Sequence, residues 1–163
     1  MSENPADPDF WHSRWQENRI GFHQAQANAL LRAHLGALDQ HMNLRRYSAE
    51  NIDIFTGDVF DLTTNILGSV DAIYDRAALV ALPRDTRPRY GAHLARITGT
   101  APQFLICFEY DQSLMDGPPF STDASEVARI YGQTYTLTDH AAKEVEGGLK
   151  GRIPATERVW LLR

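Results

Sequence analysis

One cysteine, Cys107, stands in a chain of 163 residues, so no intrachain disulfide braces the fold. The longest unbroken apolar stretch, about Ala77 to Leu82, falls far short of the roughly 20 residues that span a bilayer. Positive charge is not in surplus: 16 Lys and Arg face 21 Asp and Glu, and the formal charge of -5 gives no footprint for a phosphate backbone or an anionic membrane surface. The six histidines include no HExxH pair and the cysteine has no partner, which argues against a metal site. No GxSxG elbow, GxxxxGK(S/T) phosphate loop or GxGxxG turn occurs, which removes the commonest serine-hydrolase, P-loop and dinucleotide signatures. The opening MSENPADPDF is polar and acidic where a secretory leader would be basic and then apolar, so a cytoplasmic protein is expected.

What is present suits one α/β domain, with 43% hydrophobic residues to build its core. Residues 1–9 carry two prolines and no apolar period and are expected to form a flexible tail, leaving 10–163 as the single domain. Phe10, Trp11 and Trp15 lie at helical spacing, and Leu31, Leu35 and Leu38 recur at i, i+4 and i+7, which predicts two helices. Asn51 to Asp58 alternates apolar with polar and meets Gly57, the pattern of a strand and its turn. Ala72 to Tyr74 reads as a short strand, Tyr90, Leu94 and Ile97 as the buried stripe of a helix, and Gln103 to Phe108 as a strand at the sheet centre. Asp123 and Glu126 predict the capped start of a helix through Val127, Ile130 and Tyr131, closed by Gly132. Thr134 to Thr138 and Arg158 to Leu162 are the last two predicted strands, joined by a glycine-rich, charged and mobile link.

Strands alternating with helices predict a mostly parallel sheet, whose ligands bind outside the carboxyl ends of the strands. Those ends carry Gly57-Asp58-Val59-Phe60, Asp75-Arg76 and Glu109-Tyr110-Asp111. Any one of these carboxylates, taken singly, serves equally as a turn or helix cap. Arg76 is open to two readings, an ion pair with Asp75 or another carboxylate, or a planar donor that holds a ligand. Trp11, Trp15 and Phe22 are either core aromatics or the wall of a pocket for a flat ring or a sulfonium.

Together these segments resemble the thiopurine S-methyltransferase family. Four stretches carry the resemblance: Phe10 to Trp15 with Ile20 to Gln24; Ile54 to Leu62; Tyr74 to Pro83; and Glu109 to Asp111 with Met115 to Phe120. It covers about residues 10–39 and 44–163. The resemblance implies a Rossmann-like class I methyltransferase sheet that uses S-adenosylmethionine to methylate a small-molecule thiol or chalcogen acceptor. It places Trp11 and Trp15 on the cofactor, Asp58, Val59 and Phe60 at its adenine, and Phe22 near the methyl and the substrate. Asp75 and Arg76 take the catalytic place, with Arg76 at the edge shared by cofactor and substrate, and Pro118, Pro119 and Phe120 cover the substrate pocket.

One block of the family pattern has no room in this chain. Between Leu38 and Leu44, where the family has its first strand, a glycine-containing turn, a helix and a second strand ending in an acidic residue, only Asp39 to Asn43 stands. A βαβ unit needs roughly 30 residues, so the sheet is expected to be shortened by that portion. A non-catalytic binding module that has lost the cofactor is the alternative.

Overall fold

A computed structural model describes residues 37–41 and 44–163, which divide between Ile66 and Leu67 into two units. The expected tail and the expected places of Trp11, Trp15 and Phe22 lie outside the described residues.

The first unit is an antiparallel meander of β1 (Ala37–His41), β2 (Leu44–Ala49) and β3 (Ile52–Thr56), with His41 opposite Leu44 and Ala49 opposite Ile52. Such short connections permit only antiparallel pairing, because a parallel neighbour needs a crossover of a dozen or more residues. Leu38, expected in a helix, therefore belongs to β1, where pairing with Tyr47 overrides the helical spacing of the leucines. Asn51, second of the two residues between β2 and β3, takes the left-handed backbone, φ 60°, which asparagine tolerates better than most residues. Across β2 and β3, Arg46 donates twice to the Asp53 carboxylate, at 2.8 and 3.0 Å, and its guanidinium lies over Phe55. The strand expected over Asn51–Asp58 is thus β3, but in an antiparallel sheet of its own.

The short helix α1 (Thr64–Leu67) runs across the boundary in the chain, and the second unit contains a four-stranded sheet in the order β4-β5-β7-β6. β4 (Ile73–Arg76) runs parallel to β5 (Gln103–Tyr110), with α2 (Arg87–Thr98) in the connection; β7 (Ala155–Leu162) is antiparallel to both β5 and β6 (Leu137–Glu144). This mixed α/β sheet agrees with the shortened class I fold that the resemblance implies. Only the β4/β5 pair is parallel among the described residues, since the β6–β7 connection is a hairpin.

β5 sits inside the sheet as its apolar run predicts. Gln103, Leu105 and Cys107 on one face are buried while Phe104, Ile106 and Phe108 on the other are half-buried. Tyr90 and Ile97 of α2, Val127 and Tyr131 of α3 (Ala124–Tyr131), and Trp160 and Leu162 of β7 complete the core. Gly91 lets the two helices approach, for a Cβ there would stand 2.6 Å from Ile130 Cγ2. Asp123 caps α3 by accepting Glu126 N at 2.8 Å, as the sequence predicts. The expected link between the last strands is mostly ordered: β6 runs to Glu144, β7 starts at Ala155, and Leu149 bridges Ile153 between them.

Candidate functional site

Asp58, Val59 and Phe60 follow β3. One Asp58 carboxylate oxygen accepts Phe60 N at 2.9 Å and so caps the single 3-10 turn Val59–Asp61, while Val59 and Phe60 are half-buried. The cap is the local role an Asp after a strand commonly takes, and it leaves the second oxygen available.

In the second unit, β4 ends opposite Ile106 and β5 continues four residues further, to Tyr110, which makes a step at the carboxyl edge of the sheet. Asp75 and Arg76 are neighbours on β4 and so project to opposite faces. Asp75 is buried toward α2, where it accepts the Tyr90 hydroxyl at 3.0 Å and Leu79 N at 3.4 Å. Burial raises its pKa above the ordinary aspartate value, against the lowering effect of those hydrogen bonds. Arg76 is 55% exposed and reaches across β5 to Glu157, with Nη2 3.1 Å from Oε1. Its carboxylate partner is thus on β7, a residue the sequence reading did not single out.

The cluster after β5 divides its work three ways. Glu109 accepts Arg158 Nε at 2.9 Å, and Arg158 also pairs with Asp139. Tyr110 donates its hydroxyl to Pro119 O at 2.7 Å, and Asp111 caps the next turn by accepting Ser113 N at 2.9 Å. Pro118, Pro119 and Phe120 lie in a loop returned to this edge by Gly117, whose φ is 87° and where a Cβ would meet the Phe120 ring at 2.5 Å. Phe120 N donates to Val80 O at 2.6 Å, which joins the loop to the turn that follows Asp75 and Arg76. The structure therefore brings those two segments together. A cleft of about 480 Å³ opens nearby at the β6–β7 hairpin, lined by Glu109, Glu144, Arg152 and Thr156 among others. By strand alternation Glu109 and Thr156 lie on the face opposite Arg76 and Glu157. Among the described residues, none of those assigned from the sequence to cofactor or substrate lines it.

Cys107 is fully buried, and its thiol is pushed up to about 12 chiefly by burial, so it is a core side chain with no nucleophilic character. Among the described residues no group of three or more His, Cys, Asp or Glu is placed to hold a metal ion, and no helix is long and apolar enough to cross a membrane.

The family model for thiopurine S-methyltransferase matches residues 6–47 and 39–152. A thiopurine S-methyltransferase of Xanthobacter autotrophicus is 40% identical over 209 residues, covering 96% of this chain and 98% of the relative. Those of Gluconobacter oxydans and Teredinibacter turnerae are each 39% identical, covering 93% and 94% of this chain and 92% and 95% of the relatives. An alignment 209 residues long exceeds the 163 of this chain, so the Xanthobacter protein carries residues with no counterpart here. The two stretches matched by the family model both reach residues 39–47, the place where the sequence leaves no room for a βαβ unit.

Proposed function

The chain belongs to the thiopurine S-methyltransferase family, and from that premise we propose that it transfers a methyl group from S-adenosylmethionine to the sulfur of a small aromatic thiol. The observation that supports this most is the alignment of a 40% identical thiopurine S-methyltransferase along nearly the whole of both chains. The cytoplasm is the proposed compartment, in keeping with a single, buried cysteine.

The described residues fit one end of the cofactor. Asp58 has an acceptor oxygen suited to the amino group of adenine, and the half-buried Val59 and Phe60 supply apolar contact. The residues that would serve the ribose and amino-acid end belong in the family to the block this chain lacks. S-adenosylmethionine, when bound, supplies an electrophilic methyl on a sulfonium.

The protein's part is alignment, which can contribute about 7 to 11 kcal/mol to such a reaction. A strong base is unnecessary because many thiols are partly ionised near neutrality. On this reading the exposed guanidinium of Arg76 orients the acceptor, with Glu157 steadying it from behind. Asp75, buried on the other face, acts through the turn: it holds Leu79 N and the Tyr90 hydroxyl and so fixes the backbone from which Arg76 projects. Pro118, Pro119 and Phe120 wall the acceptor site.

Titration with S-adenosylhomocysteine tests the proposal. A ligand that binds only the folded chain raises its stability by about 2.7 kcal/mol at a hundred times Kd, seen as a higher melting temperature. No shift and no calorimetric heat would leave the chain a non-catalytic binding module. Arg76→Lys keeps the charge and loses the planar fork, so turnover of a thiopurine should fall about tenfold or more with an unchanged melting temperature. Parent-like turnover in that variant would remove Arg76 from the site.

A further inference from the structure

Arg87, which the sequence reading did not single out, is 2% exposed, and a buried guanidinium is costly unless it is hydrogen-bonded and paired with an opposite charge. Nε and Nη1 supply both. Nε donates to Leu82 O at 3.0 Å, and Nη1 donates to Ser121 O at 3.2 Å while lying 3.5 Å from Glu126 Oε1. The guanidinium plane rests over the Phe120 ring, 5.7 Å from its centroid. One side chain thus grips the end of the turn that follows Arg76, the first residue after the Pro118–Phe120 loop, the aromatic ring within that loop, and the N-terminal turn of α3.

The other ties of the loop run the same way. Phe120 N is held by Val80 O, Ser121 N by Gln112 Oε1 at 2.8 Å, Thr122 N by Phe108 O at 2.8 Å, and the carbonyls of Pro118 and Pro119 accept from Lys150 and Tyr110. Glu126, 4% exposed, is shared by Arg84, Arg87 and Arg129, so Arg87 is anchored from beneath by a charge that two further arginines hold in place. A loop tied at each residue from Pro118 to Thr122 is a fixed wall rather than a lid.

We propose that Arg87 is a positioning residue of the methyl-transfer site, holding Pro118, Pro119 and Phe120 as a preformed wall against the acceptor thiol. The proposal rests on the proposed function, in which this loop faces the acceptor. It requires arginine: a lysine keeps the charge toward Glu126 but cannot hold two carbonyls in fixed directions and cover a ring at once.

The experiment compares Arg87→Lys with the parent in two measurements on the full chain, amide hydrogen exchange and steady-state kinetics with 6-mercaptopurine. Exchange at Phe120, Ser121 and Thr122 should quicken by about tenfold relative to Leu105 and Cys107 of β5, which isolates loosening of the loop from a general loss of stability. The KM for 6-mercaptopurine should rise about tenfold while that for S-adenosylmethionine stays within about twofold, a split that a merely structural residue would not produce. Unchanged relative exchange overturns the strap. Faster exchange with an unchanged acceptor KM overturns the positioning role and leaves a loop tie remote from the acceptor. A parent that turns over no thiol sinks the methyl-transfer reading and the positioning role with it, and the exchange result still decides whether Arg87 holds the loop. If Arg87→Lys fails to fold, Glu126→Gln carries the same two measurements, with a smaller effect in the same direction expected.

Discussion

The two units of this chain are built on opposite principles. In the first, β1, β2 and β3 pair in chain order, and Leu44 is the one buried side chain among residues 44–66. In the second, β5 pairs with β4 through a helical crossover and with a strand some fifty positions later, and the sheet lies against α2 and α3 over Leu105, Ile97, Val127 and Leu162, each fully buried. The contrast exposes the physical consequence of losing a βαβ portion. A chain left with two residues between His41 and Leu44 has only antiparallel pairing within reach, whereas the half of the sheet beyond the loss keeps its crossover and its core. Stability and the candidate acceptor site should therefore be concentrated in the second unit.

The largest test of that contrast is a matched pair of truncations. Leu105→Ala, at a fully buried position in β5, should cost about 2 to 5 kcal/mol by denaturant titration. Ile54→Ala in the half-buried β3 should cost under about 1.5 kcal/mol, because less apolar surface leaves water there on folding. Equal losses would show that the meander carries a core comparable to that of the larger sheet.

A smaller effect separates, by pH, two buried carboxyls of the second unit. Burial works against ionisation of Glu126, but the hydrogen bond from Arg129 and the charges of Arg129, Arg84 and Arg87 outweigh it and hold the carboxyl below the usual glutamate range. A lowered folded-state pKa contributes stability that is present above the unfolded value, near 4.5, and is lost as the pH falls through the folded one. Asp75 has the opposite sign, since burial raises its pKa: its neutral form is favoured, and its share of stability grows as the pH falls. Melting curves from pH 7 to pH 3 should show a shallower acid loss in Glu126→Gln than in the parent, and a steeper one in Asp75→Asn. Parallel profiles for all three would mean that neither group is linked to unfolding.

Much of the second unit was legible in the sequence because its signals are local. The continuous apolar run marks β5, the Tyr90 and Ile97 spacing marks the buried stripe of α2, and Asp123 marks the start of α3. The first unit was less so: Leu31, Leu35 and Leu38 repeat at helical spacing, and only the shortness of the connection reveals that Leu38 pairs with Tyr47. Asp75 and Arg76 were read as one catalytic pair, although strand alternation alone places them on opposite faces. Glu126 was legible as part of a helix start, but not as the anchor of three arginines, because Arg84 and Arg87 reach it from about forty residues away. Arg87 carries no motif at all. A buried arginine is visible only once the two carbonyls it serves have been brought together by the fold, and those lie on segments separated in sequence.

The smallest effect sharpens the comparison most, because both units hold an arginine–carboxylate cluster and only one of them is buried. In the first unit the Asp53 carboxyl is held below its ordinary pKa by hydrogen bonds from Arg46 and Ser48, and both members of its ion pair are 38% exposed. In the second the Glu126 side chain is 5% exposed, with Arg87 at 2%. Screening acts through solvent, and at 1 M salt the Debye length is about 3 Å, shorter than the reach of an exposed pair but of little consequence where water is excluded. Asp53→Asn keeps one oxygen to accept from Ser48 and Arg46 Nε, but puts an amide nitrogen where the other accepts Arg46 Nη2, so it removes the charge and one exposed hydrogen bond. It should lower the melting temperature slightly at low salt, by less than Ile54→Ala does, and the difference from the parent should shrink in 1 M sodium chloride. The deficit of Glu126→Gln should persist there. If salt erased both deficits equally, the arginine cluster under α3 would be as open to water as the one on the meander, and the division of the chain into an exposed hairpin sheet and a buried, charge-anchored half would fail at its electrostatic end.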